Sequence, residues 1–79
     1  MDLIYWDEAV VIKISDGITH SIGNIADAEN FMLSDWQRFD LDSMGEAITA
    51  CLRCSHDHGS TQSARIAFKH AAEVSGILA

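Results

Sequence analysis

Two short runs of β-branched residues constrain this chain more than any other feature. Residues 9–14, AVVIKI, and 18–22, ITHSI, flank the triplet Ser15-Asp16-Gly17. Such runs on either side of a glycine-ended turn mark an antiparallel β-hairpin. Alternation decides its register. A two-residue Asp16-Gly17 turn would set Ile14 against Thr19 and split the apolar residues between two faces. A three-residue loop, Ser15 to Gly17, sets Ile14 against Ile18, Ile12 against His20 and Val10 against Ile22. All the apolar side chains then share one face. A slip of one residue would expose half of them, so the three-residue loop is expected, with Gly17 in the left-handed region that ends such loops. This register places His20 on the core side of the sheet margin, as a hydrogen-bonded or half-exposed histidine.

A lone hairpin is marginal in water, so its apolar face needs a cover. Three helical patterns can provide it. The first follows Asn24, a favourable N-cap, with Asp27 and Glu29 where the helix dipole favours acids. Its stripe is Ile25, Ala28, Met32 and Trp36 at helical spacing. Phe31 and Leu33 flank the stripe and make the apolar arc wide. Residues 37–42 form a connection that Phe39 and Leu41 tack onto the core. The second helix opens with Ser43 and Glu46, which fit a capping box, and runs to about His58 before Gly59. Met44, Ala47, Ile48, Cys51, Leu52 and Ser55 fall along its inner face. Ser60 caps the third helix, whose buried stripe is Ala64, Ala67, Phe68 and Ala71. Lys69, His70 and Glu73 face away, and Ile66 is left exposed among them. Gly76 ends this helix, and Ile77-Leu78-Ala79 closes the chain as a coil or a short edge strand. The expected fold is α+β: an N-terminal antiparallel β-hairpin covered by three α-helices, in one domain spanning residues 1–79.

Charge removes several functions. The net charge is −7. Residues 1–42 hold nine acids against Lys13 and Arg38, and residues 43–79 hold three against Arg53, Arg65 and Lys69. Nucleic-acid binding needs Lys and Arg to neutralise phosphates, and no basic patch exists to do so. Anionic membrane surfaces are disfavoured for the same reason. No segment reaches the roughly 20 apolar residues of a membrane span, and the opening MDLIYWDEAVV is not a secretory signal. The expected compartment is the cytoplasm, where two cysteines remain reduced thiols.

The stretch ITACLRCSHDHGST, residues 48–61, resembles a metal site at first sight. Cys51, Cys54, His56 and His58 are four candidate ligands within eight residues. Yet Cys51 lies mid-way along the inner face of the second helix, where a free cysteine acts as a small hydrophobe. Structural zinc usually joins two ligand pairs across a long loop, and here all four crowd one helix end. A redox pair would need its first thiol at a helix N-terminus, and Cys51 is about two turns in. The expectation is therefore neither metal nor cofactor. The alternative is a metal-responsive protein using Cys51, Cys54, His56 and His58. No Gly-rich phosphate loop, G-x-S-x-G or H-E-x-x-H occurs, and so small a fold has little room for a ligand pocket. An enzyme is not expected.

Trp6, Val10 and the hairpin, Ala28 and Trp36 in the first helix, Ala50-Cys51 in the second and, most specific, the closing segment ARIAFKHAAEVSGI, residues 64–77, form one set of features. On these residues the chain resembles the small bacterial proteins called domain of unknown function 982, whose closing pattern is carried here by Ala64, Arg65, Ala67, Phe68, Ala71, Ala72 and Ile77. The chain departs from that pattern in lacking proline, notably at Ala9 and Gln37, and in adding Cys54 and the two histidines. The resemblance implies a compact α+β domain without an established activity, and transfers no functional residues. Arg65 adjoins the buried stripe and is placed either to pair with an acid of the first half or to sit in solvent. The functional expectation is a small non-catalytic module that binds an unknown protein partner or forms a homodimer. Phe31 and Leu33 are the candidate contact residues.

Overall fold

The computed structural model describes residues 5–55 and 60–79. Strand β1 (Tyr5–Ser15) and strand β2 (Ile18–Asn24) form an antiparallel hairpin. Helix α1 (Ile25–Ser34), a 3-10 turn (Trp36–Arg38), helix α2 (Leu41–Ser55) and helix α3 (Thr61–Val74) follow. The architecture is α+β, a hairpin followed by three helices.

The hairpin has the expected central register, with Val10 opposite Ile22 and Ile12 opposite His20. Its turn differs. The pairing shifts between Lys13 and Ser15, so Ile18 faces Ser15 and not Ile14. An extra residue beside a turn sharpens the local twist. Ile14 consequently packs half-buried against the core while Ile18 is exposed. Gly17 does adopt the left-handed conformation, at φ 76°. Ile12 and Ile22 are almost wholly buried, and such burial stabilises a fold by about 1.5–3 kcal/mol per side chain.

The C-terminal tail adds an edge segment. Lys13 N–H donates to Ile77 C=O at 2.7 Å, and Ala79 N–H donates to Val11 C=O at 3.0 Å. These bonds frame an antiparallel bridge between Ile12 and Leu78. The tail is aimed by the end of α3. Gly76, at φ 75°, donates to Glu73 C=O, and Ile77 N–H donates to Ala72 C=O, the paired bonds of a Schellman stop.

The caps explain where the helices begin. Asn24 Oδ1 accepts from Asp27 N–H at 2.8 Å, and its amide donates back to the Asp27 carboxylate. Ser60 Oγ accepts from Ser63 N–H at 2.9 Å. Helix α2 starts two residues before the expected Ser43, because Asp40 is its cap. Asp40 Oδ2 accepts from Ser43 N–H, and the Asp40 carbonyl accepts from Met44 N–H. Ser43 is thereby placed inside the first turn and buried. The buried face turns with it, to Ser43, Ala47, Cys51 and Cys54, leaving Leu52 and Ser55 exposed. Small residues at these positions let α3 approach through Ala64, Phe68, Ala71 and Ala72. Ala67, expected in that stripe, is only half-buried.

Trp36 departs from the expected stripe of the first helix. Ser34 and Asp35 compete for backbone hydrogen bonds, and the chain leaves α1 there for the 3-10 turn. Trp36 ends half-exposed, and Phe39 takes the vacated core position. Phe39 lies edge-on to Phe31 at 5.7 Å and 6.3 Å from Phe68, which also meets Trp6 at 5.6 Å. Leu41, expected to tack the connection down, is exposed.

Candidate functional site

The two thiols lie on the inner face of α2, as its helical period requires. Cys51 is fully buried and Cys54 nearly so, and both are free. Burial pushes the Cys51 thiol from its usual 9.0 to about 12, and the neighbouring Glu29 and Cys54 push the same way. A thiol held protonated is a poor nucleophile and a poor metal ligand. The Cys54 thiol points at Thr61 Oγ1, 3.9 Å away, at the start of α3. Among the described residues no three His, Cys, Asp or Glu side chains come together as a metal site. His56 and His58 of the alternative metal reading lie outside the described residues.

A second cluster joins β1 to α3. The Arg65 Nε–H donates to Glu8 C=O at 2.8 Å, and its Nη2 lies 3.2 Å from the Glu8 carboxylate. The Arg65 side chain is only 16% exposed, while that of Glu8 is 82% exposed. Of the two placements open to Arg65, the structure has the pairing with an acid of the first half. Arg65 also lines an open cleft of about 330 Å³ with Trp6, Asp7, Ser60 and Gln62. The Trp6 indole N–H is buried and has no acceptor among the described residues. An unmet buried donor costs about 1–3 kcal/mol. Sequence reasoning missed this cleft, because it arises only when the start of β1 packs beside the start of α3.

The flanks of α1 differ from each other. Phe31 is half-buried and packed onto Phe39, so its ring belongs to the fold. Leu33 is 66% exposed. It is followed along the chain by half-exposed Trp36 and by Leu41, 61% exposed. On the other side of α1, an open groove of about 340 Å³ is lined by His20, Ile22, Asp27, Asn30, Phe31 and Ser34. His20 lines this groove at the margin of the sheet and is exposed. Asp27 lines the same groove, a carboxylate that the sequence alone did not place there.

Among the described residues no helix is long and apolar enough to cross a membrane. The family model described as "Protein of unknown function (DUF982)" matches residues 8–79. No curated protein and no solved structure matches the chain.

Proposed function

The chain belongs to the DUF982 family of proteins of unknown function, and on that premise we propose that it is a small non-catalytic module that works in the cytoplasm by contact with another protein chain. The observation that carries this reading is the succession of Leu33, Trp36 and Leu41, three large apolar side chains left at the surface within nine residues. Neighbouring positions bury Met32 and Phe39, so the chain had apolar side chains enough for its core and kept these outside it. Ser34, Gln37 and Asp42, exposed polar residues, adjoin them in the chain, and large apolar side chains kept at the surface among polar ones are typical of protein contact surfaces. Two reduced thiols suit a reducing compartment. The negative charge disfavours nucleic acid and anionic lipid as partners.

Site-specific photocrosslinking in cells tests the reading. A photoreactive residue at Leu33 or Trp36 is expected to yield a discrete crosslinked protein species, and one at exposed Thr49 is not. Equal, featureless labelling from all three positions would remove the proposal.

A further inference from the structure

The hairpin has two edges, and among the described residues only one is closed. Backbone groups of successive strand residues point to alternate edges. Lys13 N–H and Val11 C=O serve the C-terminal tail. The backbone groups of Ile12 therefore serve β2, where Ile12 faces His20. By the same alternation, Thr19, Ser21 and Gly23 turn their N–H and C=O groups outward from β2. Among the described residues none of these three has a backbone partner beyond the hairpin. Thr19 and Ser21 are exposed, and Gly23 is half-buried.

Natural edge strands are usually guarded by lysine, proline, a bulge or a covering segment. From Ile18 to Asn24 there is no carboxylate, ammonium, guanidinium or proline. The pairing irregularities flank β2's regular stretch and do not interrupt it between Thr19 and Ile22. Resting on the reading of this chain as an interaction module, we infer that its partner at this edge is a second copy, joined by antiparallel pairing of β2 with β2 about a two-fold axis at Ser21.

Three features of the strand select that occupant. The outward residues are symmetric about Ser21. A two-fold there sets Ser21 against the partner's Ser21 and Thr19 against the partner's Gly23. All the outward N–H and C=O groups of the three residues then find partners. The rows between them set His20 against the partner's Ile22, and exposed Ile18 against the partner's Asn24. Finally, each chain carries −7, and this strand is a line along which two copies approach without setting like charges opposite each other. The product is a continuous four-stranded sheet, β1-β2-β2-β1, whose outer edges are the ones already closed by the tails.

The experiment measures solution mass by light scattering across a concentration series, for the full chain and for Ser21→Glu. The wild type is expected at twice the 8.7 kDa of one chain. Ser21→Glu sets two carboxylates opposite each other at the axis and is expected to halve the mass, with an unchanged far-UV circular dichroism spectrum. Because Ser21 is exposed in the single chain, loss of fold is not the expected route to a monomer. Ser21→Cys gives a positive arm: mild oxidation is expected to link two chains covalently, while Thr49→Cys on α2 is not. A wild type that stays monomeric at every concentration overturns the inference. So does a dimer that Ser21→Glu leaves intact and Ser21→Cys fails to crosslink. Either result leaves the crosslinking test at Leu33 and Trp36 standing, so this pairing can fail while the module reading survives.

Discussion

The two edges of the same hairpin are treated in opposite ways. The outer edge of β1 is occupied twice. The tail bonds to Lys13 and Val11, and further along Arg65 reaches out from α3 to take the Glu8 carbonyl. The outer edge of β2 has neither a bonded segment nor a charged guard among the described residues. An unpaired strand edge is a template for another strand. A fold that closes one edge with a glycine-aimed tail and a largely buried arginine, and leaves the other bare, has an asymmetry with consequences. The closed edge serves the stability of the single chain. The open edge costs the single chain little, since its N–H and C=O groups are met by water.

The largest test removes the support beneath both edges at once. Cys51 keeps its proton to about pH 12, whereas the same thiol in the unfolded chain ionises near its usual 9.0. Its contribution is therefore complete below pH 9 and is lost as pH rises towards 12. The loss runs at about 1.4 kcal/mol per pH unit, or about 4 kcal/mol over the window. Urea unfolding between pH 8 and 11, at fixed concentration, should show this falling limb. Cys51→Ala lowers stability at neutral pH but should flatten the limb relative to wild type. A wild type and a variant with parallel alkaline limbs would show that Cys51 does not carry the effect. Both edges should melt together here, because the core they share is what fails.

Removing residues 77–79 should affect the edges differently. The truncation deletes the bonds at Lys13 and Val11 and the half-buried side chains of Ile77 and Leu78. The expected cost is about 2–4 kcal/mol, that of losing a large side chain from a core site. It also leaves β1 as bare as β2. If bare edges recruit copies, the truncated chain should grow beyond a dimer in a light-scattering series. If its mass matches the full chain, the tail is only a packing element and the comparison of edges loses its force.

These contrasts were unevenly legible in the sequence. Alternation of apolar residues fixes the register from Val10 to Ile12, because burying one face leaves no freedom to slip. It does not reveal the irregularity at Ile14, since one extra residue at a turn alters no pattern elsewhere. The third helix is readable nearly to the residue, because Ser60 and Gly76 punctuate it with different chemistry at its two ends. The second is not. Asp40 and Ser43 both qualify as caps, and only the packing of α2 on α3 decides between them. That choice brings Cys54 into the core and moves Leu52 out of it. Arg65 was legible only as a residue that either pairs with an acid of the first half or sits in solvent. Its shorter contact, with the Glu8 carbonyl, was not legible, because no side-chain pattern marks a backbone acceptor. The openness of β2 is equally silent in sequence: a neutral strand reads alike at an edge and in the middle of a sheet.

The smallest effects separate the two contacts of Arg65. Its bond to the Glu8 carbonyl is short, made by a largely buried side chain, and closes a strand edge. Its contact with the Glu8 carboxylate is a 3.2 Å pair whose acid is mostly in water. Charge-assisted hydrogen bonds contribute more than neutral ones, whereas exposed ion pairs typically contribute about 0–1 kcal/mol. Arg65→Met keeps much of the aliphatic packing and loses both contacts, and should cost about 1–3 kcal/mol in urea unfolding. Glu8→Gln keeps the carbonyl and loses only the charge, and should cost less than about 1 kcal/mol, fading further as salt is added. Equal losses in the two variants would make the ion pair the working contact. Arg65 would then be a surface bridge and not a clasp on the strand. The β1 edge beyond Val11 would in that case be nearly as open as the edge of β2, and the asymmetry between the two would shrink to the tail alone.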